Sequence, residues 1–182
     1  MITGKKVRLR ALERSDLPKI CQWLNDEEVM YYWAHPGNTT SLAEVERWFD
    51  DELERRRQDR KDYIIETLDG VAIGRISYEH LSIKGRNAEL GILIGEKDYW
   101  DKGYGTDAVM TLLNYLFNEL QLHKVYLSTQ SYNTRAQRCY EKCGFVREGV
   151  HRESAFVKGK YYDSLIMGIL RREFNQRANE RQ

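Results

Sequence analysis

The sequence predicts a mixed α/β fold of the α+β kind, in which a mostly antiparallel central sheet of about seven strands is flanked by helices. Three observations predict it. Two β-rich segments flank Asp69-Gly70, a strong hairpin signal, and a third strand-like segment follows them. A long amphipathic helix then leads into another strand, a pattern that forms a right-handed parallel crossover. Two further strand-like segments follow a last helix.

The length of the chain predicts a single domain. A chain of 182 residues fits one ordinary domain with a substantial core. No internal repeat or low-complexity linker divides it. We therefore expect one domain over residues 1–170, followed by a polar tail over residues 171–182 that frays.

The N-terminal part predicts one strand and two helices. Val7, Leu9 and Ala11 alternate with arginines, which is the two-residue period of a half-buried strand. A short helix follows with Ser15 as its N-cap, and a second helix begins at the capping box Ser41-Leu42-Ala43-Glu44. The arginines at 55–57 suit the C-terminus of that helix better than a nucleic-acid patch, because acidic residues share the helix.

The rest of the chain supplies the remaining strands and helices. A turn at Lys84-Gly85-Arg86-Asn87 leads into a strand from Ala88 to Ile94. The helix after the next loop has its apolar residues on one stripe: Val109, Leu112, Leu113, Leu116, Phe117 and Leu120. Asn133 predicts the cap of another helix and Gly144 its end, before strands over about 145–157 and 161–170.

Charge and cysteine content exclude several classes of protein. With 29 basic and 28 acidic residues, the chain gives no broad electrostatic argument for nucleic acid or a membrane surface, and we expect neither as a partner. The three cysteines lack Cys-x-x-Cys spacing and predict free thiols. The sequence has neither a spanning apolar segment nor a secretory signal at its start, so we expect a cytoplasmic protein. The histidines show no metal-ligand spacing, and we predict no metal.

One glycine-containing loop predicts an anion site. The run from Tyr99 to Ala108 contains Gly103-x-Gly105 between a strand and a long helix, and successive N–H groups at such a helix start can bind a phosphate. The dinucleotide fingerprint also matches, but that fingerprint belongs after the first strand of a βαβ unit. A P-loop lacks its Gly-Lys-Ser/Thr here. A structural turn without a ligand is as common a use of two glycines.

A second motif changes that balance. Asn133 opens a helix and Tyr140 follows two turns later on the same face, so both can address one ligand. With this helix placed after the glycine loop, the chain resembles the GNAT superfamily of acyl-CoA-dependent N-acetyltransferases, particularly its RimJ/RimL-like and spermidine-acetyltransferase-like branch. The resemblance is strongest from about Glu89 to Phe145. The order of elements resembles the whole family fold.

The resemblance implies where acetyl-CoA binds. In this family two neighbouring strands splay apart and hold the pantetheine arm, while the loop holds the pyrophosphate. Carried over to this sequence, the cofactor-binding residues are Ile92, Leu93, Ile94, Trp100, Asp101, Lys102, Gly103, Tyr104, Gly105, Thr106, Asn133, Ala136 and Tyr140. Asp101 departs from the family pattern, where glycine is frequent, and a carboxylate beside a pyrophosphate is repulsive unless it faces solvent.

The resemblance also implies the catalytic residues. Glu89 matches the position where related enzymes often place a carboxylate, and it would accept the proton of the attacking amine. Tyr140 matches the phenol that protonates the leaving thiolate. Each has an alternative use, Glu89 as an ordinary surface acid and Tyr140 as a core aromatic with Asn133 as its helix cap. Cys139 and Cys143 fit buried small hydrophobes better than nucleophiles.

The acceptor is an amine whose identity the sequence leaves open. Glu28, Tyr31, Tyr32 and Trp33 lie, with His35, in an irregular stretch that suits either acceptor binding or packing. A polyamine, the N-terminal amine of a protein and a small-molecule amine all remain candidates. A binding module that senses acetyl-CoA without turnover is the alternative function. In this family the final two strands often form dimer contacts, so a homodimer is compatible with the sequence.

Overall fold

The computed structural model describes residues 1–33, 37, 39–55 and 58–179. Its centre is a single eight-stranded sheet with strand order β1-β2-β3-β4-β5-β6-β8-β7. The strands are β1 (Ile2–Thr3), β2 (Val7–Ala11), β3 (Lys61–Thr67), β4 (Ala72–Ser82), β5 (Asn87–Ile94), β6 (Lys124–Gln130), β7 (Val146–Val157) and β8 (Lys160–Leu170). The eighth strand is β1, whose two residues are too short to produce an alternating pattern in the sequence.

Six α-helices accompany the sheet in the described part of the chain. They are α1 (Leu17–Asn25), α2 (Glu27–Tyr32), α3 (Leu42–Arg55), α4 (Tyr104–Asn114), α5 (Thr134–Cys143) and α6 (Arg171–Asn179). The predicted stripe of α4, which continues into a π-helical turn over Tyr115–Glu119, packs on one face of the sheet in the larger apolar core. A second apolar cluster, which includes Ile20, Val45 and Phe49, joins α1 and α3 to the opposite face.

The strand pairing confirms the predicted meander and crossover. Strands β2 to β5 pair antiparallel in sequence order. Strands β5 and β6 are parallel, and their pairing runs only from Asn87↔Lys124 to Glu89↔Tyr126, although β5 continues to Ile94 and β6 to Gln130. Past Glu89 the two strands therefore separate, as the family resemblance implied.

Two helix starts differ in how well the sequence predicted them. The capping box at Ser41 is confirmed, because its N–H donates to Glu44 Oε2 at 2.7 Å and Glu44 N–H donates to Ser41 Oγ at 3.3 Å. The prediction of Ser15 as the cap of α1 is wrong. Asp16 occupies that position, where its carboxylate accepts the Glu13 N–H at 2.9 Å and both forks of the Arg10 guanidinium at 2.8 Å. A 3-10 turn over Arg14–Asp16 therefore precedes α1, and the Asp16 carboxylate holds that turn and Arg10 without a side-chain hydrogen bond to the helix itself.

Two segments predicted as irregular are helical. Residues 27–32 form α2, which Asp26 caps by accepting the N–H groups of Glu28 and Val29. Residues 171–179, predicted as part of a polar tail, form α6, and its Phe174 is buried with the ring centroid 5.2 Å from that of Phe117. Arg177 Nη1 also donates to Glu141 O at 3.4 Å, so apolar and polar contacts together hold this short helix against the fold. His35 and the arginines at 56 and 57 lie outside the described residues.

Candidate active site

A cleft of about 620 Å³ occupies the space where β5 and β6 diverge. Its walls come from the second half of β5, the end of β6, the loop before α4, the length of α5, the C-terminus of α2 and the end of β7. Among the lining residues are Trp33, Glu79, Glu89, Ile92, Leu93, Ile94, Trp100, Asp101, Gly103, Gly105, Thr106, Asn133, Arg135, Ala136, Arg138, Cys139, Tyr140 and Lys142. The two predicted motifs and the splayed strand thus share one cleft.

The loop before α4 is fixed by its backbone and by one indole. Trp100 Nε1 donates to Ile94 O at 2.8 Å, which ties the loop to the end of β5. Gly103 is the N-cap of α4 with φ +82°, a conformation that glycine adopts without strain. The helix therefore begins at Tyr104 with its free N–H groups beside the cleft, which is the arrangement that binds anions.

The backbone at Asp101 adopts a conformation that favours glycine. Asp101 has φ +56°, in the left-handed region that favours glycine but that aspartate and asparagine also tolerate. Its side chain is exposed, so solvent screens the carboxylate. Asp101 also bears on Arg135: burial lowers the pKa of that guanidinium, and the Asp101 charge is the largest influence that opposes the decrease.

Arg135 forms a stacked contact that the sequence analysis missed. Its guanidinium carbon lies 3.5 Å from the ring centroid of Trp100 and 4.5 Å from that of Tyr32. The stack joins α5 to the loop and to α2 across the cleft. Arg138 and Lys142 line the cleft farther along α5. We call Arg135, Arg138 and Lys142 together the cationic end.

Asn133 caps α5 and links it to the end of α2. Its Oδ1 accepts the Ala136 N–H at 3.1 Å as the cap of α5, and its Nδ2 donates to Tyr32 O at 3.2 Å. The neighbouring Tyr132 hydroxyl donates to Tyr31 O at 2.7 Å. Asn133 also lines the cleft, as Tyr140 does, so the expectation that both address one ligand stays a prediction.

Tyr140 is buried on α5 with its ring 5.8 Å from that of Phe145, centroid to centroid. Within the described residues its hydroxyl makes no hydrogen bond, and the residue lines the cleft. Burial raises the pKa of this phenol well above its ordinary value. The hydroxyl therefore stays protonated at neutral pH and can donate a proton or a hydrogen bond to a group in the cleft.

The two cysteines of α5 have different surroundings. Cys143 is buried, as predicted, and its Sγ lies 3.7 Å from Thr106 O. Cys139 lines the cleft with its Sγ 3.4 Å from Thr106 Oγ1. Hydrogen bonding from Cys143 and then from Thr106 outweighs burial and lowers the pKa of Cys139 to about 7. Cys139 therefore differs from Cys143 in facing the cleft.

Two carboxylates form the opposite end of the cleft. Glu89 is the last residue of β5 paired with β6, and Glu79 lies directly across from it on β4. Both line the cleft. Glu89 Oε2 lies 3.0 Å from His80 Nδ1, and Glu79 Oε2 lies 3.2 Å from Arg60 Nη1. We call Glu79 and Glu89 the acidic end.

An aromatic side chain of the predicted acceptor segment reaches this acidic end. A Cβ built on Gly91 would lie 3.8 Å from Trp33 Cη2 and 4.0 Å from Glu79 Oε1, so Trp33 and Glu79 border the same patch of β5. Tyr32 also lines the cleft. An indole beside two carboxylates forms a surface that complements an alkylammonium group.

Four predicted site residues do not line this cleft. Lys102 is exposed, and its carbonyl oxygen accepts Lys6 Nζ at 2.9 Å, while Tyr104 packs between the Tyr99 ring and the Lys6 ammonium. Glu28 and Tyr31 face a separate, open depression on the far side of α2, in which they lie with Asp26, Glu27, Tyr32, Lys97 and Lys158. The predicted contacts of Lys102 and Tyr104 with the cofactor therefore stay predictions.

Several lining residues were missed, and the signals for them differ. Arg135 and Arg138 follow the Asn133 cap within two turns of the same helix, so the helical period could have placed them near the loop. Glu79 and His80 had no such signal, because an irregularity in the β4–β5 pairing decides which of them lies opposite Glu89. The contribution of β7 through Ser154, Ala155 and Phe156 depends on the tertiary fold alone.

Two further properties bear on the kind of site. Among the residues that the structure describes, no group of three or more histidine, cysteine or acidic side chains could hold a metal ion. No helix in those same parts of the chain is long and apolar enough to span a membrane.

Comparison with known proteins agrees with this geometry. The family model described as an acetyltransferase (GNAT) domain matches residues 6–146. A spermidine N(1)-acetyltransferase from Vibrio cholerae is 32% identical over 175 residues, which cover 96% of this chain and 99% of the relative. The corresponding enzyme of Escherichia coli is 30% identical, with 96% and 91% covered.

A solved structure extends the comparison to three dimensions. The crystal structure of spermidine N-acetyltransferase from Vibrio cholerae in complex with CoA and spermine superimposes with a TM-score of 0.85 at 31% identity. The superposition covers 93% of this chain and 98% of that one.

Proposed function

Because this chain belongs to the GNAT family and is an acetyl-CoA-dependent N-acetyltransferase, we propose that its acceptor is a polyamine such as spermidine. The observation that supports this acceptor is the acidic end of the cleft. Glu79 and Glu89 face each other across β4 and β5 beside the Trp33 indole, and a polycation neutralises such a pair. Two relatives that match this chain over nearly its whole length carry the name spermidine N(1)-acetyltransferase.

The residues of the cleft fit acetyl-CoA, which supplies an acyl carbon activated as a thioester. The free N–H groups at the start of α4, together with Arg138 and Lys142, would hold the pyrophosphate. The edge of β5 at Ile92 and Leu93 has no strand partner on its β6 side and offers main-chain groups to the pantetheine amides. Ile94 O already accepts a hydrogen bond from Trp100 Nε1, so we assign Ile94 a smaller role than Ile92 and Leu93 in binding pantetheine.

Two side chains would handle the protons of the reaction. Glu89 accepts a proton from the acceptor ammonium, since only a neutral amine has the lone pair that attacks an acyl carbon. Tyr140 donates to the departing sulfur, a role that suits a buried phenol whose pKa burial raises. Both side chains line the same cleft.

We further propose a cytoplasmic enzyme that has no nucleic-acid or membrane partner and forms a homodimer. The nearly balanced charge supports the first part, and so does the fact that Cys21, Cys139 and Cys143 are free thiols, as in a reducing compartment. Phe156 and Tyr161, exposed and in ring contact on the hairpin of the last two strands, support a contact between subunits.

Thiol release from acetyl-CoA across a panel of amines tests the acceptor. The panel contains spermidine, an aminoglycoside and a short peptide with a free N-terminus, at equal concentrations. We expect the highest kcat/KM with spermidine. A higher value for the aminoglycoside or the peptide would reassign the acceptor. Tight binding of acetyl-CoA without turnover on any amine would instead support a sensor module.

A further inference from the structure

The hairpin between β4 and β5 contains an irregularity beside Glu89. Ser82 pairs with Asn87, and regular counting from that pair would place His80 opposite Glu89. The register shifts, so Glu79 takes that place, and His80 has φ +53° in the left-handed region. Such a backbone costs free energy for a non-glycine residue and persists where the surrounding structure holds it. Bulges next to active sites commonly redirect a side chain.

The redirected imidazole joins the cleft to solvent. His80 Nδ1 lies 3.0 Å from Glu89 Oε2, and the His80 side chain is 60% exposed whereas that of Glu89 is 28% exposed. Glu89 lines the cleft, and His80 is absent from its wall. The two side chains thus form a line of hydrogen-bonding groups that leads from the cleft to bulk water.

The other titratable and charged groups around this pair do not offer the same path. On β4, Glu79 lies across from Glu89 and is engaged by Arg60, which precedes β3. On β6, Tyr126 lies across from Glu89, and burial first, then the charges of Glu89 and Glu79, raise the pKa of its phenol. Among the described residues, His80 is the one titratable side chain hydrogen-bonded to Glu89.

The reaction assigned above requires such a path. An ammonium and a thioester give an amide, a thiol and one proton, so each turnover must export one proton from the cleft. Glu89 faces the cleft and is less exposed than His80, so the imidazole gives its proton a more accessible route to water. An imidazole accepts a proton at one nitrogen and releases another from the opposite nitrogen.

We propose that His80 carries the acceptor proton from Glu89 to solvent, an inference that rests on the role of Glu89 in the proposed function. The ammonium proton first moves to the Glu89 carboxylate. The carboxylic acid then passes it to Nδ1 of the His80 tautomer that holds its hydrogen on Nε2. The resulting imidazolium loses the Nε2 hydrogen to water, which leaves the tautomer with its hydrogen on Nδ1. Proton exchange between this exposed ring and bulk water then restores the starting tautomer, with no further net gain or loss of protons. His80 acts through Glu89 and does not touch the substrate.

Two substitutions separate proton transfer from a structural role. His80→Asn keeps an amide where Nδ1 stands and tolerates a positive φ, but it cannot pass a proton on. His80→Ala removes the side chain and leaves room for added imidazole. We expect both variants to lose about tenfold in kcat with spermidine, because a positioned proton acceptor contributes about that much or more. Affinity for acetyl-CoA and thermal stability should match those of the exposed control His123→Asn.

Rescue by imidazole is the readout that a structural role would not change. Added imidazole should restore the kcat of His80→Ala toward the wild-type value in a saturable way, and it should not restore Glu89→Gln. Wild-type kcat in His80→Asn would overturn the relay even if His80→Ala were slow, and so would a slow His80→Ala that imidazole fails to rescue. If the wild type does not acetylate spermidine, the proposed acceptor fails. If only the His80 variants behave as wild type, the relay alone fails.

Discussion

The cationic and acidic ends of the cleft are built from the sequence in different ways. The cationic end lies on the single helix α5, and the anion site beside it is the single loop over residues 100–106. Each of these is one continuous segment of the chain, and its own backbone conformation creates the site. At the acidic end, Glu79, Glu89 and Trp33 come from three separate elements and meet only because β4 and β5 pair with a local shift. A local motif is readable from the sequence, and a site made by strand register is not.

The difference also divides the expected roles. Backbone N–H groups and stacked cations bind an anion whatever the acceptor is, so the cationic end should govern affinity for acetyl-CoA. Carboxylates next to an indole bind a cationic amine, so the acidic end should govern the choice of acceptor and the removal of its proton. A substitution at one end should leave the constants of the other end unchanged, and the predictions below use that separation.

The largest effect is expected for Glu89→Gln at the acidic end. Loss of the carboxylate removes the proton acceptor while keeping the shape, so kcat with spermidine should fall by about 100-fold or more. The dissociation constant of acetyl-CoA, measured by calorimetry, should stay unchanged. Glu141→Gln, an exposed substitution on α5, is the matched control. Retained kcat in Glu89→Gln would return Glu89 to an ordinary surface acid.

A smaller loss in kcat is expected for Tyr140→Phe, which removes the hydroxyl assigned to the leaving sulfur. The hydroxyl is the only atom removed, and kcat should fall by about 10- to 100-fold while acetyl-CoA affinity stays nearly intact. Because burial raises the pKa of this phenol, it remains protonated as pH rises, and the loss should be the same at pH 7 and pH 9.

The exposed Tyr161→Phe is the control for that substitution. Equal turnover of Tyr140→Phe and the wild type would remove Tyr140 from the chemistry and leave it as a core aromatic beside Phe145.

Features that lie within one segment of the chain were predictable from the sequence, and features formed by several segments were not. Long elements with one apolar stripe, such as α4, and the Asn133 and Gly144 boundaries of α5 were predictable because the signal lies within each segment. The six-residue α2 is too short to show a helical period, although Asp26 caps it. Among the described side chains of α6, Phe174 is the one buried apolar residue, so no periodic apolar pattern marked that helix in the sequence.

Within the site, chain-local residues were again the predictable ones. Tyr140 and Glu89 line the cleft as expected. The Asn133 amide also has a structural role, because its oxygen caps α5 and its nitrogen donates one hydrogen bond to Tyr32 O on α2. The pairing of Glu79 with Glu89 depends on a one-residue shift in register. Without that shift, His80 would lie opposite Glu89 in place of Glu79.

At the cationic end, Arg135→Lys should weaken acetyl-CoA binding without slowing the chemistry. Lysine keeps the charge but loses the planar guanidinium that lies over the Trp100 ring and near the Tyr32 ring, and the loop then has less support. We expect the dissociation constant of acetyl-CoA to rise about fivefold, equivalent to about 1 kcal/mol, with kcat at saturation unchanged. The exposed Arg152→Lys serves as control. A fall in kcat with unaltered affinity would contradict the separation of the two ends.

The smallest effect is expected for Glu79→Gln. This substitution is informative because it should change KM for a polyamine and not for a monoamine. Glu79 is about one-third exposed and already paired with Arg60, so its attraction for a second cation is partly satisfied and partly screened. We expect KM for spermidine to rise about threefold with little change in kcat. With butylamine, which has no second ammonium, Glu79→Gln and the exposed control Glu54→Gln should give the same KM. An equal rise for both amines would mean that Glu79 supports the hairpin, and it would leave the choice of a polycation to Glu89 and Trp33.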